Sequence, residues 1–190
     1  MHRLAIFASG EGTNAQNFID YYRDREDISI SLIVCNKKDA GVVTKAEKAG
    51  IPILVVDREA FYKTDLVVNE LKEKADFIVL AGFLWMIPEN IIDAFKGKIV
   101  NIHPALLPNY GGKGMYGSKV HEAVIANGEI ASGITIHYVN DKYDDGEIIF
   151  QEKCLIEAFD TPETLAKKVH NLEYLFYPVI VDILLRGNIS

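Results

Sequence analysis

Asn101-Ile102-His103-Pro104 brings an amide and an imidazole to the end of an apolar run, and Asp144-Asp145-Gly146 adds a carboxylate in a later polar turn. Asn101 and His103 are two residues apart, so on a strand both side chains face the same way. At the carboxyl end of a parallel strand, that direction opens toward a ligand crevice. An amide N–H can bind a developing oxyanion. An imidazole can donate as imidazolium or shuttle a proton near neutrality. A carboxylate beside the ring would orient it and raise its pKa. Together these residues point to acid/base chemistry on an acyl group, provided that His103 and Asp144 meet. The plainer readings are a satisfied strand histidine and an Asp-Asp-Gly turn.

The surrounding sequence alternates short apolar runs with amphipathic stretches. Strands are expected at residues 4–8, 30–35, 53–56, 77–81 and 98–102. Helices are expected from Thr13 or Asn14 to about Tyr22, at 40–49 closed by Gly50, as one long helix at 58–74, and as a short one opened by Pro88. Strand-helix alternation predicts an α/β, Rossmann-like, mostly parallel sheet with helices on both faces. The last third changes style. Residues 118–127 read as helix, while 134–139 and 147–156 read as strands joined through an Asp-Gly turn, which predicts antiparallel pairing there. A final helix starts at Thr161-Pro162-Glu163, runs to about Leu185 and ends at Gly187. Residues 1–190 read as one domain, with a phosphate-binding half to about 100 and a catalytic half after it.

Ser9-Gly10-Glu11-Gly12-Thr13-Asn14 lies between the first strand and the first helix. Glycines there let backbone approach a ligand, and a helix start offers unpaired N–H groups to an anion. The dinucleotide fingerprint is incomplete. Ala15 takes the third glycine place, which is tolerated, but the second strand ends in Cys35-Asn36-Lys37-Lys38, without the acidic residue that holds a ribose. The loop reads as a monophosphate site or, more plainly, as a connecting turn.

The chain has 190 residues, 49% of them hydrophobic, and a formal net charge of −7 with scattered Lys and Arg. That balance argues against a nucleic-acid partner, which needs a concentrated basic face. Cys35 and Cys154 lie far apart without a Cys/His cluster. They read as reduced thiols in a cytoplasmic protein, not as zinc ligands or a disulfide. No segment suggests a signal peptide or a membrane span.

Ser9-Gly10-x-Gly12-Thr13-Asn14, Leu80-Ala81-Gly82-Phe83, the block Asn101-Ile102-His103-Pro104-Ala105-Leu106-Leu107-Pro108, and Asp144-x-Gly146-x-Ile148-Ile149 occur in that order. Together they resemble the phosphoribosylglycinamide formyltransferases of purine biosynthesis, within the folate-dependent formyltransferase family. The resemblance spans nearly the whole chain. It implies that the amine of glycinamide ribonucleotide attacks the formyl carbon of 10-formyltetrahydrofolate, releasing tetrahydrofolate, with no metal. It also implies Asn101, His103 and Asp144 as catalytic residues, with Asp144 keeping the imidazole charged. Gly12, Thr13, Asn14, His170 and Glu173 would bind the ribonucleotide. Leu84, Trp85, Met86 and Ile87, with Asn101 and Asn140, Asp141, Lys142, Tyr143 and Asp144, would bind the folate.

The sequence departs from the family in three places. Trp85 stands where many members carry Arg. Residues 61–65 lack an Arg that often meets the folate tail, with Lys63 as the stand-in. The stretch Gly111 to Gly117 is longer and richer in glycine, suiting a mobile flap or an ordered wall. The other readings are a 10-formyltetrahydrofolate hydrolase, another amine formyltransferase, and a non-enzymatic folate or nucleotide sensor. The expected state is a monomer or weak homodimer with small-molecule substrates and no added domain at either end.

Overall fold

A computed structural model describes residues 1–187. The chain divides into two compact units, Met1–Val100 and Asn101–Ser190. Among the described residues, four strands lie in the first unit and three lead into or lie in the second.

In the first unit, β1 (His2–Ala8) is followed by α1 (Thr13–Tyr22), β2 (Ile28–Cys35), α2 (Gly41–Ala49) and β3 (Ile53–Val55). Then come α3 (Arg58–Lys63), α4 (Leu66–Lys74), β4 (Phe77–Leu80) and α5 (Glu89–Ala94). All pairings among β1 to β4 are parallel: β1 pairs with β2 and β4, and β2 with β3. Leu4 to Ala8 and Ile78 to Val79 are fully buried, as expected of parallel strands covered on both faces.

Two expectations need correction here. The helix foreseen at 58–74 is two helices. Thr64 is extended (φ −132°, ψ 163°), and its hydroxyl donates to the Ala60 carbonyl while accepting from Leu66 N–H. A short polar side chain that satisfies backbone groups locally competes with helix continuation. At α1, neither Thr13 nor Asn14 is the cap. Gly12 is, in left-handed backbone (φ 70°) and with no side-chain cap.

In the second unit, β5 (Ile99–His103), which begins at the end of the first, leads to α6 (Ser118–Ala126), β6 (Ala131–Tyr138), β7 (Ile148–Leu155) and α7 (Pro162–Leu185). Strands β6 and β7 pair antiparallel, from Ala131 opposite Leu155 to His137 opposite Ile148, with a register slip between Ile136 and His137. This is the antiparallel part expected of the last third. Two glycines make the close approach possible. A Cβ at Gly133 would run into the Glu152 carbonyl, and one at Gly146 into that of Tyr138.

Helix α7 starts with a capping box: the Thr161 side chain accepts from Thr164 N–H, and the Thr164 hydroxyl accepts from Thr161 N–H. Leu165, Val169, Glu173, Tyr177, Ile180 and Val181 form its buried face, the spacing of a core-facing helix. The whole is an α/β fold, a mostly parallel sheet with helices around it and an antiparallel strand in the C-terminal part. Among the described residues no helix is long and apolar enough to cross a membrane.

Candidate active site

Asn101 and His103 end β5, and Asp144 follows β6, so the second unit alone brings the three together. His103 is 3% exposed. Its Nδ1 lies 3.4 Å from Asp144 Oδ2, and its Nε2 donates to the Tyr110 carbonyl at 2.7 Å. Because a carbonyl can only accept, the hydrogen sits on Nε2 and Nδ1 is the nitrogen left to titrate. Asn101 Nδ2 donates to Asp144 Oδ1 at 3.4 Å, and Gly112 N–H donates to Asp144 Oδ2 at 2.9 Å. Asp144 itself has φ of 52°, a backbone state that aspartate tolerates better than most residues.

His137, on β6, is the cluster member that sequence reasoning missed. Its Nδ1 donates to the Tyr138 carbonyl at 2.8 Å, so Nε2 carries the lone pair and accepts from Asn101 Nδ2 at 3.1 Å. Asp144 Oδ1 stands 3.7 Å from the same Nε2, close enough for the ring, whenever it is protonated, to act on the carboxylate and on His103. Two residues earlier on β6, the buried Thr135 hydroxyl donates to the Ala105 carbonyl and accepts from Leu107 N–H and from Gln151 Nε2. Gln151 also donates to the Leu107 carbonyl. This network pins the chain that leaves β5 and so fixes where His103 stands.

The electrostatics differ from the expectation for His103. Burial lowers its pKa, and this outweighs the upward pull of the Asp144 charge and the Tyr110 carbonyl. Asp144 responds oppositely. Burial works to raise it, but His137, the His103 charge and the Gly112 N–H together bring it below the ordinary value. The two shifts run in opposite senses: burial disfavours the imidazolium, while the surrounding donors favour the carboxylate.

The Gly111 to Gly117 segment is structured by specific contacts. Gly112 N–H holds Asp144, and Met115 N–H donates to the Gly112 carbonyl. On α7, His170 Nδ1 lies 2.9 Å from Oε2 of the buried Glu173. This hydrogen bond raises the His170 pKa against the effect of burial. The two residues foreseen as ribonucleotide contacts are thus coupled to each other. Among the other expected folate residues, Asn140 and Asp144 are half-buried, while Asp141, Lys142 and Tyr143 are exposed.

In the first unit, the loop after β1 is tied to the segment after β4. Ser9 N–H donates to the Gly82 carbonyl, and the buried Ser9 hydroxyl accepts from Leu84 N–H at 3.0 Å. Gly12 is required twice over: its φ is positive, and a Cβ would lie 2.5 Å from Val42 Cβ. The first turn of α1 has neither a capping side chain nor an acidic residue, which suits an anion. Leu84 and Met86 are exposed and Ile87 is buried. Trp85 packs with Phe61, Tyr62 and Phe83, and the Arg58 guanidinium lies 5.1 Å from the Trp85 ring centre. A cation beside this wall is Arg58, one turn before the segment that holds Lys63.

Residues 2–181 match the formyl transferase family. The chain is similar to the chloroplastic phosphoribosylglycinamide formyltransferase of Arabidopsis thaliana, 42% identical over 186 residues, which are 94% of this chain. It spans 64% of that relative's length. It is 34% identical to the phosphoribosylglycinamide formyltransferase of Bacillus subtilis (strain 168), over 99% of this chain and 97% of that one. Among solved structures, phosphoribosylglycinamide formyltransferase from Bacillus halodurans superposes with a TM-score of 0.87 at 38% identity, covering 96% of this chain and 95% of the other. With a family match over nearly its full length, and with the amide, imidazole and carboxylate gathered at the end of β5, the chain belongs to the formyl transferase family.

Proposed function

We propose that this chain transfers the formyl group of 10-formyltetrahydrofolate to the amine of glycinamide ribonucleotide, giving formylglycinamide ribonucleotide and tetrahydrofolate in purine biosynthesis. The observation that carries this reading is the convergence of Asn101, His103 and Asp144 in a chain whose full-length relatives bear that enzyme's name.

The amine nitrogen bonds to the formyl carbon, and the carbonyl electrons move onto oxygen. Asn101 turns to that oxyanion the N–H that it otherwise gives Asp144, an interaction worth about 10²–10³ in rate. The buried His103, whose pKa burial holds down, takes the proton that the attacking amine loses. Nδ1 is its free nitrogen, and Asp144 stabilises the imidazolium once it forms. The tetrahedral species then collapses: its bond to the folate nitrogen breaks, and that nitrogen receives the proton from His103. His137 orients Asn101 by accepting one of its N–H bonds.

In this reading Gly12, Thr13 and Asn14 bind the substrate phosphate, and His170 with Glu173 binds its ribose. Leu84 to Ile87 and residues 140–144 bind the folate, with Arg58 in place of Lys63 as the cation for its acidic tail. The free thiols Cys35 and Cys154 suit a reducing, cytoplasmic setting. The catalytic residues all come from one chain, which suits a monomer or weak homodimer.

The test follows tetrahydrofolate release from 10-formyltetrahydrofolate with and without glycinamide ribonucleotide. Release that requires the amine supports the transferase. Release that ignores it identifies a hydrolase, and binding without release identifies a sensor.

A further inference from the structure

The loop after β5 holds an aromatic residue in a backbone conformation that L side chains rarely adopt. Tyr110 has φ of 57°, in the left-handed region that favours glycine. Such a state persists only where its surroundings hold it, and Tyr110 is held at both ends. Its carbonyl accepts from His103 Nε2 at 2.7 Å. Its hydroxyl donates to Glu129 Oε1 at 2.7 Å and accepts from Asn127 Nδ2 at 2.9 Å. Asn127 and Glu129 belong to the turn between α6 and β6. Two residues beyond Tyr110, Gly112 N–H holds Asp144. Between them Gly111 is closely packed: a Cβ would lie 2.5 Å from Leu107 Cδ2 and 3.3 Å from Asp144 Cβ. Residues 110–112 thus run from the imidazole to the carboxylate.

We propose that Tyr110 is a positioning residue for the acyl chemistry. Its carbonyl locks His103 with the hydrogen on Nε2, and its phenol, held by Glu129 and Asn127, keeps that carbonyl in place. The inference rests on the role given to His103 above. Any residue at 110 would supply a carbonyl; the hydroxyl anchor is what tyrosine adds. With Nε2 occupied, proton uptake falls to Nδ1, where Asp144 faces it. A ring released from Tyr110 could rotate and offer either nitrogen, so only part of its population would be competent. Other charged neighbours act on the ring without fixing its tautomer: Asp144 and Glu173 of α7 favour its protonation, while His137 of β6 and His121 of α6 oppose it.

The experiment compares wild type, Tyr110→Phe, Glu129→Ala and the double variant. It reads the His103 nitrogen shifts by ¹H–¹⁵N NMR across pH, together with kcat and KM for the amine. Wild type is expected to show His103 as the Nε2–H tautomer. Tyr110→Phe is expected to give averaged nitrogen shifts and a lower His103 pKa. Its kcat should fall about threefold to tenfold, the rate equivalent of one neutral hydrogen bond, with KM within about twofold. Glu129→Ala should reproduce these effects, and the double variant should be no worse than either, because both remove one anchor. Glu129→Ala also keeps the test alive if Tyr110→Phe fails to fold. Unchanged His103 shifts and kcat in the single variants, or losses that add in the double, would overturn the proposal. If wild type does not turn over the amine, the NMR result still decides the role of Tyr110, and the failure counts against the assigned reaction alone.

Discussion

Asp144 is within reach of His103, Asn101 and the Gly112 N–H at once, so neutralising it should disturb the chemistry and spare the binding. Asp144→Asn is predicted to keep substrate affinity and lose most turnover, seen as a fall in kcat with little change in KM. The same variant should lower the His103 pKa further, because the carboxylate now pulls it upward. An NMR titration of His103 checks that sign. Asn101→Ala should cost about 10²–10³ in kcat, the scale for one oxyanion donor. Asn101, His103 and Asp144 could be named from the sequence because their residue types suit acyl chemistry and because the motifs around them resemble those of the formyltransferases. His137 was not. It sits in an alternating strand where a histidine reads as filler, and its link to Asn101 spans 36 positions. Tyr110 was hidden for another reason: what it gives to the site is a carbonyl, which every residue has. The burial that pulls the His103 pKa down was not legible either, because a carboxylate partner can be read from sequence and the depth of burial cannot.

At the scale of elements, continuous apolar runs located β1 and β4, whose burial on both faces leaves that signature, whereas β6 was read from alternation and β7 from its position after an Asp-Gly turn. Helix ends were less legible. The break at Thr64 depends on one hydroxyl serving two backbone groups, and an amphipathic pattern runs straight through it. The Gly12 cap depends on a left-handed backbone state, where Thr13 or Asn14 looked the better candidate by propensity. Gly12→Ala is predicted to destabilise the fold by about 1–2 kcal/mol from the backbone conformation alone, with the Val42 clash adding to it. It should also weaken inorganic phosphate binding, and calorimetry reads both effects. The α7 cap was legible, because Thr-Pro-Glu is a local start signal. Thr161→Ala should cost about 1 kcal/mol, measured as a shift in the urea midpoint at constant m-value.

At the scale of the whole molecule, stability should carry the mark of the His170–Glu173 pair. The folded-state pKa of His170 is raised above its usual 6.5. Its contribution is therefore fully present below 6.5 and lost as pH rises through the higher folded value. His170→Gln should lower the melting temperature relative to wild type at about pH 5.5 and have little effect at about pH 8.5. An equal loss at both would mean that the pair is not ionised as described. The fold class could be read from the sequence as a whole, whereas the meeting of His103 and Asp144 could not, because 40 intervening residues separate them. The central claim is that this cluster moves a formyl group onto a phosphorylated amine. Incubating the protein with ¹³C-formyl-labelled 10-formyltetrahydrofolate and glycinamide ribonucleotide tests it directly. The account predicts a ¹³C formamide resonance on the ribonucleotide, one per tetrahydrofolate released. Label recovered as free formate, with the ribonucleotide unmodified, would contradict it.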